Sequence, residues 1–165
     1  MQRLYWDSVH VNGDKIFFTI DDHGLNFVSS PGQGVSQLLD FYTNDHFEYA
    51  KNSERSLLYR KTIKNYLRGK STDLDLPIDF MSYGSDEGRL IWNEIAQIPF
   101  GELVTVSDLA DQSGLGPDKV ELAISKSPIW LVLPLHRVTD RNGRYPYRTG
   151  DTTRDFLVDL EHPKK

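Results

Sequence analysis

Pro134-Leu135-His136-Arg137-Val138 is the stretch that decides how this chain reads. It follows an apolar run, Trp130-Leu131-Val132-Leu133, and precedes a glycine turn signal at Asn142-Gly143. Upstream, Glu87–Ile98 has apolar residues at Leu90, Ile91, Ile95 and Ile98, a helical period that Pro99-Phe100-Gly101 ends. Thr105 or Ser107 can cap a short helix over Asp108–Gln112. Ser113-Gly114-Leu115-Gly116 then reads as a turn, and Pro117 suits the first position of a helix reaching Ser127. Helix, glycine turn, helix is a helix-turn-helix pattern. Downstream of Pro134 a hairpin or wing is expected around Asn142-Gly143, and Thr152 or Thr153 opens a final helix with Phe156, Leu157 and Leu160 on one side.

The first 80 residues read as a separate lobe. Alternating stretches at Leu4–Val11, Lys15–Ile20 and Leu25–Ser29 are divided by Asn12-Gly13 and His23-Gly24, which predicts a three-stranded antiparallel meander. Ser53 is placed to cap a helix ending at Leu67, with Leu57, Leu58, Tyr59, Ile63, Tyr66 and Leu67 as its apolar face. Gly69 stops it, and Ser71–Pro77 reads as a loop. The expected class is therefore α+β. A small N-terminal α/β lobe with antiparallel strands spans 1–80, and a winged helix-turn-helix lobe spans 85–165.

Composition narrows the chemistry. Of 165 residues, 38% are hydrophobic and 12% aromatic, enough for a core. No apolar run is long enough for a membrane span, and the first residues lack the apolar stretch of a secretion signal. A cytoplasmic protein is expected. There is no cysteine, which excludes disulfides, thiolate metal sites and a cysteine nucleophile together. The net charge of −5 is unlike that of a basic nucleic-acid binder. However, Arg137, Arg141, Arg144, Arg148 and Arg154 face only Asp140 and Asp151 in the same stretch, so one local patch can suit phosphates. Asp7, His10, Asp21, Asp22 and His23 contain metal-ligating types, but the turn context and irregular spacing predict no metal site. No cofactor is expected.

From Ser85 to His162 the chain resembles the 6-O-alkylguanine-DNA alkyltransferases, the methylated-DNA–protein-cysteine methyltransferase family. That family's active-site motif is Pro-Cys-His-Arg-Val. Ile98-Pro99-Phe100-Gly101-Glu102, Leu109-Ala110, Val120, Ala123, Pro128, Asn142-Gly143, Tyr147, Gly150 and Glu161 extend the register. The resemblance implies a fold that flips a damaged guanine out of duplex DNA and moves its alkyl group to cysteine, with a histidine as base and a glutamate orienting it. His136 and Glu161 match that pair, and Leu135 falls on the acceptor cysteine. It further implies a base pocket at Ile124, Trp130, Leu135 and Tyr147. The implied DNA contacts are Lys119, Arg137, Arg144, Arg148 and Arg154.

Other positions depart from the family. Its intruding arginine falls on Asp118, its phosphate-rotating tyrosine on Val106, and the glycine of its recognition helix on Leu122, beside Glu121. The asparagine before Pro128 is Ser127 here. Three readings stand. The chain is an alkyltransferase-like protein that recognises 6-O-alkylguanine in DNA and passes it to nucleotide-excision repair proteins. Alternatively, it is a retired alkyltransferase fold with a partner other than DNA. The third reading is an active enzyme whose acceptor cysteine has been exchanged for Leu135.

Overall fold

The computed structural model describes residues 2–43, 46–140 and 147–162. The chain divides into two compact units, residues 1–83 and 84–165.

In the first unit, β1 (Gln2–Val11), β2 (Asp14–Asp21) and β3 (Gly24–Val28) form the meander. The β1–β2 loop is the two residues Asn12 and Gly13, both with positive φ, as a tight hairpin between right-twisted strands requires. A fourth strand, β4 (Phe47–Ala50), pairs parallel to the start of β1, giving the order β3-β2-β1-β4. Nothing in its short Phe-Glu-Tyr-Ala run alternates strongly enough to announce a strand. The other edge is covered: Leu25 N–H donates to Pro77 O, and Asp79 N–H donates back to Leu25 O. Gly24 is needed there, because a Cβ would lie 2.6 Å from Pro77 O at a φ of +150°.

Helix α1 (Ser53–Leu67) packs on β1, and two details differ from expectation. Its cap is Asn52, whose side chain accepts from the N–H groups of Glu54 and Arg55, rather than Ser53. Its buried face is Ser56, Tyr59, Ile63 and Tyr66, spaced three, four and three. Leu57 and Leu58 therefore point outward, and Leu58 is 61% exposed. Ser56 is turned inward because its Oγ donates to the buried Asp7 carboxylate at 2.6 Å. Arg60 also donates to that carboxylate.

The second unit contains α2 (Asp86–Ala96), β5 (Val104–Thr105), α3 (Val106–Ser113), α4 (Pro117–Ser125), β6 (Val138–Thr139) and α5 (Asp151–Glu161). Ser85 caps α2, which buries Gly88, Ile91, Trp92 and Ile95 and leaves Leu90 outward. Thr105 and Asp108 form a reciprocal capping box at the start of α3, and Gly114 ends it in the left-handed conformation. Pro117 opens α4 as expected, but α4 stops at Ser125. Ser127 Oγ instead bonds Ile129 in the turn that follows. Helix α5 starts at Asp151, before Thr152 and Thr153, and its N-cap is Gly150 without a side-chain bond. A parallel pairing of β5 with β6, unforeseen from sequence, anchors Val138 and Thr139 beside Val104 and Thr105. The expected wing at Asn142-Gly143 lies outside the described residues. Among the described residues, no helix is long and apolar enough to cross a membrane.

Candidate functional site

The segment between α4 and β6 is buried without being regular structure. Ile129 through Val138 are all buried, as the apolar run demands. Such a segment must satisfy its backbone locally. It does so partly with two γ-turns. Val132 N–H donates to Trp130 O at 2.9 Å around Leu131, whose φ is +74°. Leu135 N–H donates to Leu133 O at 2.7 Å around Pro134. A left-handed leucine costs on the order of 1–3 kcal/mol, so the surrounding core must hold it. These bends deliver Leu135, His136 and Arg137 into one turn of 3-10 helix.

There Glu161, at the end of α5, collects the polar groups. Its Oε2 lies 2.7 Å from His136 Nε2 and accepts from Arg137 Nη2 at 2.9 Å. Its Oε1 accepts from Arg137 Nε at 2.8 Å and from Gly101 N–H at 3.0 Å. Arg137 Nη1 donates to Ile98 O at 2.7 Å. A carboxylate receiving a bidentate arginine is an acceptor, so His136 donates from Nε2, and Nδ1 is the ring's acceptor. Burial pushes the His136 pKa below its ordinary value of 6.5; the Glu161 bond opposes this without reversing it. His136 is thus a neutral, oriented imidazole.

One residue on, His162 behaves oppositely. Its Nδ1 faces Val158 O at 2.8 Å and its Nε2 faces Gly101 O at 2.7 Å. Both partners accept, so both nitrogens must donate. The bonds to Val158 O and then Gly101 O raise its pKa above 6.5. Nothing in the sequence distinguished His162; the signal was its place at a helix C-terminus.

Three of the four expected pocket residues come together. Trp130, Leu135 and Tyr147 line one cavity with Leu131, His136, Thr149, Arg154 and Leu157. Ile124 is not among them; it is fully buried on the inward side of α4. The cavity measures about 10 Å³, room for about one water. Tyr147 is fixed by its hydroxyl, which donates to Ser127 O at 2.6 Å. Arg148 Nη1 donates to the same carbonyl at 2.6 Å and to the Tyr147 hydroxyl, and the guanidinium carbon stands 4.5 Å from the Tyr147 ring centroid.

The expected phosphate contacts fare unevenly. Arg137 is a correction: the 3-10 turn aims it inward at Glu161 and Ile98, so it is not offered to a phosphate. Arg154 is another: its side chain is 11% exposed and borders the cavity, near Asp155. Arg148 is engaged by Ser127 and Tyr147 as above. Lys119 is exposed and bridges to Glu87 at 2.7 Å. Arg144 lies outside the described residues. Asp118, Glu121 and Leu122 all stand in solvent on α4, and Val106 is buried in α3.

In the first unit, ligand atoms of Asp21, His23 and Asp79 lie within 4.8 Å of one another, so two of the residues dismissed as metal ligands do meet, joined by Asp79. One oxygen of Asp21 already accepts from the N–H groups of His23 and Gly24. Burial, then the neighbouring Asp79, raises the Asp21 pKa.

Residues 88–163 match the family model of the 6-O-methylguanine DNA methyltransferase DNA-binding domain. The methylated-DNA–protein-cysteine methyltransferase of Metallosphaera sedula is 35% identical over 125 residues, 75% of this chain and 78% of that protein. The inducible methylated-DNA–protein-cysteine methyltransferase of Bacillus subtilis is 26% identical over 164 residues, 96% of this chain and 90% of that protein. The fold matches Mycobacterium tuberculosis OGT, solved in complex with DNA, with a TM-score of 0.75 and 22% identity, covering 95% of this chain and 92% of that one. The extent of the Metallosphaera match and the family model together show that this chain belongs to the methylated-DNA–protein-cysteine methyltransferase family.

Proposed function

We propose that this protein binds duplex DNA and recognises 6-O-alkylguanine without accepting the alkyl group. The observation that carries the reading is Leu135. It stands beside an oriented His136–Glu161 pair and borders the same cavity as Trp130 and Tyr147. Alkyl transfer needs a thiolate to attack an sp³ carbon in line while the guanine oxygen leaves. A leucine carries no lone pair, and the chain has no cysteine to take its place. The acceptor nitrogen of His136 therefore has no thiol proton to remove. Recognition remains physically open: once the cavity opens, Trp130 and Tyr147 supply rings on which a flipped purine can stack, and such stacking is worth roughly 1–3 kcal/mol per base.

The closed cavity sets a condition. A cavity of about 10 Å³ has no room for a purine, so binding is coupled to opening and the affinity is modest. In this reading, the bound lesion is passed to nucleotide-excision repair proteins. The test is a titration with duplexes carrying 6-O-methylguanine or guanine at two salt concentrations. A preference for the lesion, lost on Tyr147→Ala, supports the reading. Equal affinity removes it. A second reading, a retired fold with a partner other than DNA, is favoured by the acids Asp118 and Glu121 on α4 and by the inward turn of Arg137 and Arg154. Absence of any salt-dependent DNA binding selects it.

A further inference from the structure

We propose that the solvent face of α1, in the first unit, is a backbone contact for duplex DNA, taking phosphates without regard to sequence. The inference rests on the reading that this chain binds duplex DNA. Most cations of the structure are engaged. Arg55 and Arg60 pair with Asp22 and Asp7, Lys119 with Glu87 and Arg137 with Glu161. Lys15 and Lys51 each stand over an aromatic ring. Lys61, Lys64, Arg68 and Lys70 differ. Among the described residues, no carboxylate, hydrogen-bond acceptor or ring engages their side chains. In a chain of net charge −5, the cations left without a partner gather within ten residues. A polyanion is drawn by such a local patch, whatever the sign of the sum.

The helix aligns them. Lys61, Lys64 and Arg68 fall three and four residues apart, on the face opposite the buried Ser56, Tyr59, Ile63 and Tyr66. From Lys61 to Arg68 the helix rises about 10 Å, the length of roughly three phosphates along one strand. Gly69, with φ +71°, turns the chain, and Lys70 N–H donates back to Asn65 O at 2.9 Å, which holds Lys70 beside the last turn. The acid of α1, Glu54, lies at the opposite end. The helix dipole accounts in part for cations in the last turn, but not for Lys61 a turn earlier. Leu57 and Leu58 are exposed on the N-terminal side of the cations. A helix lying on a membrane needs a whole apolar face for the lipid, whereas that of α1 is packed on β1. Phosphates are therefore the better match.

The experiment is a titration of the full chain with plain and 6-O-methylguanine duplexes across a salt series. The variant Lys61→Gln/Lys64→Gln/Arg68→Gln should bind both duplexes about tenfold or more weaker at low salt, with a log–log slope shallower by about two to three. The ratio of lesion to plain affinity should not change, since phosphate contacts carry no sequence information. As Lys61 and Arg68 are exposed and Lys64 half-buried, circular dichroism should show an unchanged fold. Arg3→Gln/Lys15→Gln/Lys51→Gln removes the same net charge elsewhere and should change the slope by less than about one. Salt-dependent binding that the α1 variant leaves unaltered overturns the proposal while the DNA reading stands. An equal loss in the Arg3, Lys15 and Lys51 variant overturns it too, since net charge alone then explains the effect. No binding of either duplex by the wild type overturns both. Equal affinity for the two duplexes, with a slope that the α1 variant still reduces, removes lesion recognition and keeps this contact. Binding to phosphatidylserine vesicles in preference to duplex, lost on Leu57→Ser/Leu58→Ser, would give the face to a membrane instead and overturn the proposal.

Discussion

Around Glu161, a carboxylate, an imidazole and a guanidinium are buried together and bonded to one another, whereas on the outer face of α4 the charges stand in solvent around an exposed leucine. Both regions belong to the same unit of about eighty residues. In the sequence, the first holds residues by which the chain resembles the family, His136, Arg137 and Glu161; the second holds two by which the resemblance breaks, Asp118 and Leu122. The difference teaches that the relay has a structural reason to persist. Glu161 ties together the loop after α2, the 3-10 turn and α5 through Gly101, His136 and Arg137. Removing Glu161 or Arg137 strands the buried charge of the other, whether or not a thiol is present. No such penalty holds the outer face of α4 in place.

That contrast is most exposed to test at Glu161. Glu161→Ala should cost about 3–5 kcal/mol, because it leaves Arg137 charged and buried without its partner. Thermal unfolding should show this as a Tm lower by roughly 10 °C for a chain of this size. A loss under about 1 kcal/mol would mean that the cluster is not structural, and its likeness to the family would need a catalytic reason.

Leu135→Cys asks whether the relay alone restores chemistry. In the proposed reading His136 and Glu161 would serve a thiol at position 135, but a cavity of about 10 Å³ still opposes entry of a flipped base. Single-turnover alkylation should be at least about tenfold slower than that of a competent family member. An equal rate would show that the departures at Val106 and Asp118 do not matter.

On α4 itself, Asp118→Arg should tighten duplex binding about three- to tenfold and steepen the log–log salt slope by about one. Its Tm should stay within about 1 °C, as expected for an exposed site. Unchanged DNA affinity would remove α4 from the DNA-binding surface.

The two histidines flanking this carboxylate give the subtlest effect. His136 is held below 6.5, so the folded state resists its protonation; stability is full above 6.5 and falls as the pH drops from there toward its folded pKa. His162 is raised, so its contribution is full below 6.5 and is lost as the pH rises through its folded pKa. Imidazole NMR titrations should show His162 titrating above 6.5 and His136 below it. His136→Gln should flatten the acid side of the Tm–pH curve by a few degrees, and His162→Gln the alkaline side by less. Titration of both near 6.5 would contradict the hydrogen-bond assignments.

Much of this was legible in the sequence where chemistry is local. Asn12-Gly13 specified its hairpin, Thr105 was one of two candidate caps for α3 and is the one used, and Pro117 fixed the start of α4. The neighbours of Leu135 emerged in part: of the residues the resemblance implied, Trp130 and Tyr147 line the cavity and Ile124 does not. What stayed hidden depended on tertiary partners. β4 exists because β1 offers an edge, and Leu57 and Leu58 face out because Ser56 is drawn to Asp7. Arg137 looked like a phosphate contact until the 3-10 turn aimed it at Glu161; an arginine's sequence position does not say which way it points. The meeting of Asp21, His23 and Asp79 needed the chain to return after 53 residues more, from Asn26 to Asp79, which no spacing rule predicts.

The central claim is that this family member does not accept alkyl groups, and intact-protein mass spectrometry tests it most directly. The protein is incubated in excess with a duplex carrying 6-O-methylguanine, and both molecules are weighed over time. The account predicts an unchanged protein mass and a duplex that keeps its methyl group. A stoichiometric gain of one methyl by the protein, matched by its loss from the DNA, would contradict it.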